Sequence, residues 1–113
     1  MNAPEIIEAV AEVCGLAPSV VKLKQRHRGV VRARQLAALL MREEGMSYPE
    51  LSRALGMGNH TSGMCAAKKG AALQVSDRAF SELYERAQVG IAMRDTHRLP
   101  YLIDRLRAVL GRP

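Results

Sequence analysis

The sequence predicts an all-α domain built around a helix-turn-helix, with additional helices at its C-terminal end. Three observations carry that expectation. Apolar residues return at i, i+3 and i+4 along most of the chain, and no stretch shows the period of two that a half-buried strand needs. Glycine or proline punctuates these helical stretches at short intervals, which makes the connections turns. Finally, residues 47 to 70, SYPELSRALGMGNHTSGMCAAKKG, read as a short helix, a tight glycine turn and a second helix opening on small polar side chains.

In chain order, residues 4 to 14 form the first helix, with Pro4 at its start, Ile6, Ile7, Val10, Val13 and Cys14 on one face, and Gly15 at its end. Pro18 and Ser19 open a shorter segment, 18 to 24, whose Val20, Val21 and Leu23 can rest on the first helix. Lys24 to Gly29 (KQRHRG) has nothing apolar to bury, so it is expected as an exposed basic loop. From Val30 to Glu44 runs a long helix with Val30, Ala33, Leu36, Ala37, Leu40 and Met41 inward and Arg32, Arg34, Gln35 and Arg42 outward. Its first turn is basic, although cations disfavour a helix N-terminus, and a polyanion would relieve that conflict.

Ser47 with Glu50 three residues later is a capping box, Pro49 suits a first turn, and Leu51, Ala54 and Leu55 supply the buried spacing. Gly56 closes that helix. Asn59 can cap the next one, which places His60, Thr61 and Ser62 in its first turn, where side chains project beyond the helix end. This second helix is expected to fade between Lys68 and Ala72. Ser76 and Asp77 begin another helix to Met93, with Phe80, Leu83, Tyr84, Ala87 and Ile91 inward. Pro100 starts the last, whose Leu99, Leu102, Ile103, Leu106, Val109 and Leu110 form a broad apolar face. Residues 1–75 thus read as the helix-turn-helix domain, and residues 76–113 as a helical extension that packs on it or contacts another chain.

Charge placement narrows the function. A chain of 113 residues makes one domain, and it carries six net positive charges. No acidic residue lies between Glu12 and Glu43, where Lys22, Lys24, Arg26, Arg28, Arg32, Arg34 and Arg42 fall, and a second acid-free gap runs from Glu50 to Asp77. A solvated basic face is the ordinary fate of a charge run, but one gap precedes the helix-turn-helix and the other runs through its second helix, which favours a nucleic-acid partner. The six methionines read as core filling, and Cys14 and Cys65 as reduced, buried thiols. His27, His60 and His97 share no ligand spacing with the cysteines, so neither a metal nor another cofactor is expected. The start of the chain lacks the pattern of a signal peptide, and no apolar run approaches the ~20 residues that span a bilayer. A soluble, cytoplasmic protein without membrane contacts is expected.

Residues 5 to about 70 resemble the C-terminal DNA-binding domain of the bacterial replication initiator DnaA. The resemblance rests on Arg32-Ala33-Arg34-Gln35 opening one helix, Ser47-Tyr48-Pro49-Glu50-Leu51 opening the next, Leu55-Gly56 at the turn, and Asn59-His60-Thr61-Ser62 followed by Ala66 and Lys69. It implies that His60 and Thr61 read base edges in the major groove and that Arg26 enters the adjacent minor groove. It also implies that Arg34, Gln35, Tyr48 and Pro49 lie near backbone phosphates. The basic faces add Lys24, Arg28, Arg32, Ser62, Lys68 and Lys69 as candidate backbone contacts. The family usually has a basic residue and then an aspartate before His-Thr, whereas Gly58 and Asn59 stand here, and Gly63 replaces an apolar residue. Asparagine can donate and accept, as towards adenine, so Asn59 joins the base-contacting set and the preferred site should differ from the initiator's box.

The favoured function is therefore that of a sequence-specific protein on double-stranded DNA, acting as a transcriptional regulator whose residues 76–110 dimerise or contact RNA polymerase or a regulatory protein. The alternative is a modulator of replication initiation that occupies initiator-box-like sites without ATPase activity, since the sequence has no GxxxxGK[ST] nucleotide-binding motif. An enzyme is disfavoured: His60 stands beside Thr61 and Ser62 only as a helix neighbour, with no acidic orienter.

Overall fold

The computed structural model describes residues 2–24, 26–94 and 99–111, and in its last helix the side chains at 100, 103, 104, 107, 108 and 110. Among these the element order is α1 (Ala3–Cys14), α2 (Pro18–Val21), α3 (Arg28–Glu43), α4 (Tyr48–Ala54), α5 (His60–Ser76), α6 (Arg78–Arg94) and α7 (Leu99–Leu110), all helical. The expectations for Gln25 and His97, and for the side chains of Leu99, Leu102, Leu106 and Val109, lie outside what is described.

Helix α3 is the hub, touching α1, α2, α4, α5 and α6. Every residue expected to face inward on it is buried, and Ala38 and Leu39 are buried as well, because neighbours surround its middle on nearly all sides. It begins at Arg28, two residues before the expected start. The His27 imidazole explains the shift: its Nδ1 accepts from the Gly29 N–H at 3.2 Å, a side-chain cap that draws Arg28 and Gly29 into the first turn. Helix α2 stops at Val21, short of the expected Lys24, because Arg34 captures carbonyls at its end.

The helix-turn-helix is α4 and α5. Ser47 and Glu50 make the full capping box, and Asn59 Oδ1 accepts from the Ser62 N–H at 2.9 Å. Helix α5 does not fade at Lys68 to Ala72 but runs to Ser76. Ala66, Ala67, Ala71 and Ala72 are the best helix formers available and outweigh the cost of about 1 kcal/mol for Gly70. Asp77 ends the run by capping α6, its Oδ1 accepting from the Phe80 N–H at 3.0 Å. Phe80, Tyr84, Ala87 and Ile91 of α6 enter the same core as Ile6, Leu36 and Leu51, so residues 78–94 pack on the helix-turn-helix domain. Helix α7 touches α6 alone among the described elements.

Two expectations hold only in part. Of the described methionines, Met41 is fully buried and Met46 and Met57 are partly buried against the core, whereas Met93 is 69% exposed at the end of α6. Cys65 is exposed, and Cys14 is half-buried, with burial pushing its thiol up from the ordinary value.

The seat of α5 is set by small residues. Its buried positions are Gly63, Ala67, Gly70 and Leu73. A Cβ on Gly63 would overlap Ser52 Oγ and stand 2.7 Å from Leu51 Cδ1; one on Gly70 would stand 2.5 Å from the Gln35 carbonyl oxygen. The two helices beneath therefore approach the α5 backbone itself. Ser52 Oγ is buried there without a hydrogen-bond partner. Gly63→Ala gains about 1 kcal/mol of helix propensity but loses about 1–3 kcal/mol to overpacking, so its net effect is destabilising. Ser52→Ala removes an unsatisfied hydroxyl and should stabilise by about 1 kcal/mol. Urea unfolding of both single variants and the double variant checks this. The double variant should recover much of the Gly63→Ala loss, and simple additivity would refute the contact.

Candidate nucleic-acid interface

The candidate surface begins with a residue that is not on it. Arg34, expected outward, is buried, and its Nη1 donates to the carbonyls of Val21 and Leu23, each at 3.0 Å. Burial lowers its pKa, yet a guanidinium stays charged, and hydrogen bonds to two carbonyls offset part of its desolvation. The carbonyls are those of the chain leading into the basic loop. Arg34 thus anchors that loop to α3, which corrects its expected outward placement.

A second tie joins the loop to the helix-turn-helix. Gly56, at the turn, has φ +67°, and a Cβ there would stand 3.0 Å from the Lys22 carbonyl oxygen. Two residues beyond Lys22 comes Lys24, and three beyond Gly56 comes Asn59. The bases of the basic loop and of the polar helix end are therefore packed against each other. Lys24, Arg26, His27 and Arg28 are exposed on one segment, and Asn59, His60, Thr61 and Ser62 on the other.

Along α5, Thr61, Cys65, Lys68 and Ala72 recur at helical spacing on the side opposite Gly63, Ala67 and Gly70, and all four are exposed. Lys69 is exposed beside them. The first turn of α5 contains no acidic residue, so its free N–H groups and positive dipole end face solvent unopposed. Asn59 Oδ1 is already engaged, accepting from Ser62 N–H at 2.9 Å and Ser62 Oγ–H at 3.2 Å, which leaves its Nδ2 hydrogens to donate.

The remaining candidates are less free than the sequence implies. Arg32 is partly buried, with Nη1 3.2 Å from Asp77 Oδ2. Gln35 and Tyr48 are partly buried, and the Arg42 guanidinium lies 4.4 Å from the centre of the Tyr48 ring while donating to the Met46 carbonyl at 3.1 Å. The sequence placed Lys22 in the basic gap but gave neither it nor Arg53 a contact role, and both are exposed cations on either side of the Gly56 contact. Their signal was the turn itself, because Gly56 N–H donates to the Arg53 carbonyl at 3.1 Å and Gly56 rests on Lys22. Among the described residues, no group of three metal-binding side chains is found, and no helix is long and apolar enough to cross a membrane.

Two measurements test this arrangement. Arg34→Ala should lower stability by about 1–3 kcal/mol in denaturant unfolding and speed amide exchange after Val21, because two carbonyls lose their donor. A purely surface contact would leave the unfolding midpoint in place. The second concerns acid. The Ser47 hydroxyl and N–H hold the Glu50 carboxyl below its usual range, and the Phe80 N–H, followed by Arg32, does the same for Asp77. Both folded-state values are depressed, so their contribution is present above the unfolded-state values near ~4 and is lost as pH falls through the folded ones. Glu50→Gln keeps the box but should flatten part of that acid-side fall in melting temperature.

The family described as the bacterial DnaA protein helix-turn-helix matches residues 3–69. The chromosomal replication initiator protein DnaA of Aliarcobacter butzleri (strain RM4018) is 34% identical over 83 residues, covering 73% of this chain and 19% of that protein. The chain thus spans about a fifth of the length of that relative. The matched segment ends at Lys69, inside α5, and includes the basic loop, the capping box and the Asn59 helix start. On both counts the chain belongs to the bacterial DnaA helix-turn-helix family.

Proposed function

We propose that the chain binds double-stranded DNA sequence-specifically, with the first turn of α5 in the major groove and the basic loop in the adjacent minor groove, and acts as a transcriptional regulator. The observation that carries this reading is the packing of Gly56 on Lys22, which joins an exposed cationic loop to the exposed polar end of α5. Family membership supports DNA binding as such. His60 and Thr61 read bases. Asn59 contributes its amide donors, Arg26 enters the minor groove, and Lys24, Arg28, Ser62, Lys68 and Lys69 meet phosphates. A non-ATPase modulator of replication initiation is the second reading, favoured by the similarity to an initiator. Contact with a second copy or a regulatory protein belongs to α7, supported by Ile103 and Leu110, 47% and 80% exposed.

Selection from random duplexes, followed by footprinting, tests the reading. A recovered site that coincides with initiator boxes at an origin favours the modulator, and sites upstream of genes favour the regulator. On the selected site, His60→Ala or Thr61→Ala should cost about 1–3 kcal/mol and relax preference at particular base pairs while sparing nonspecific affinity. Lys69→Ala should weaken all duplexes alike. Arg26→Ala should cost most where the flank is A·T-rich and narrow, with the salt slope falling by about one. Equal loss on specific and scrambled duplexes would remove His60 from base reading.

A further inference from the structure

Asp77 lies beyond the segment that matches the family, yet it reaches back to the basic end of α3. Its two oxygens do different work: Oδ1 caps α6 through the Phe80 N–H, and Oδ2 holds Arg32 Nη1 at 3.2 Å. Arg28 and Arg32, one turn apart, line a cleft of about 200 Å³ with Asp77, Ala79, Phe80 and Leu83. Arg28 is exposed and makes no ion pair among the described residues. At the N-terminus of α3, with no acidic residue in its first turn, two arginines thus flank a space where one carboxylate supplies the negative charge.

We propose that Asp77 occupies, within the free chain, the place a backbone phosphate takes between Arg28 and Arg32, so that it restrains DNA binding as an internal competitor. The proposal rests on the DNA-binding reading. The exchange is electrostatic. When a phosphodiester arrives, Arg32 releases Oδ2 and both guanidiniums turn to the phosphate, while Oδ1 keeps its cap. The carboxylate then faces a like charge, and that opposition sets the restraint. A merely positioning Asp77 would predict the reverse, since its loss would let Arg32 wander and weaken binding.

Asp77→Asn separates the two roles, because the amide oxygen still caps α6 while the charge is gone. Asp77→Ser, also a good cap, is the second variant. Circular dichroism checks that both fold, and fluorescence anisotropy on the selected duplex and a scrambled one reads affinity across a salt series. The expected result is several-fold tighter binding to both duplexes at low salt, with a salt slope steeper by about 0.9 for the one added phosphate contact. Arg32→Ala should cost little in the parent chain and several-fold more in the Asp77→Asn background. In the unaltered protein, NMR should show the Arg32 guanidinium signal leaving its Asp77-bound position as duplex is added. Unchanged or weaker binding by both variants, or an Arg32 signal indifferent to DNA, would overturn the proposal. If the parent chain binds no duplex at all, the DNA-binding reading falls with it. Intact parent binding with unaltered variants removes only the competitor.

Discussion

A guanidinium inside a protein must find acceptors, and Arg34 finds them in the two carbonyls that lead into the basic loop. The arrangement of the surface depends on that clasp. It ends α2, fixes where the loop leaves the core, and leaves the Lys22 carbonyl in place for the Gly56 turn to pack against. A chain of buried polar and backbone contacts therefore runs from the hub helix to the loop and on to the helix-turn-helix. The exposed cations and the exposed first turn of α5 inherit their relative placement from groups that DNA need never touch.

The second half of the scaffold depends on absence of bulk. Large apolar side chains fill most of the core, but α5 presents mainly glycine and alanine to its neighbours and is gripped close to its backbone. Close seating limits rolling and sliding, because a small displacement brings its backbone against Ser52, Leu51 or the Gln35 carbonyl. The same economy leaves the outward side of α5 free to carry Thr61, Cys65, Lys68 and Lys69, none of which is needed for packing.

Much of this was legible in the sequence. The caps at Ser47 and Asn59, the turn at Gly56 and the inward face of α3 follow from local rules, which act over three or four residues and survive folding unchanged. The failures were tertiary. Arg34 and Arg32 occupy helical positions that look external by charge, and only a partner 11 to 13 residues away, or 45 away, turns them inward or pairs them. The fade expected between Lys68 and Ala72 does not occur, because Gly70 serves contact with α3 and the surrounding alanines carry the helix through. Cys65 looked buried by residue type, although its spacing from Thr61 places it on the solvent side. The sequence left open whether the C-terminal extension packs on the domain or contacts another chain, and it is tertiary packing that brings Phe80 and Tyr84 into the common core.

Asp77 joins α5 and α6 with no spacer: its N–H donates to the Leu73 carbonyl at 2.8 Å, and its carboxylate caps the next helix. One residue thus ends one rod and starts another. Adding a single residue there would rotate α6 by about 100° about its axis, carrying Phe80 and Tyr84 away from the core. The joint therefore resists insertion and deletion far more than an ordinary loop does. Chains descended from this one can vary the outer face of α5 without cost to its packing, but their lengths across residues 73–80 should stay constant, and any domain grafted into the molecule must enter somewhere else.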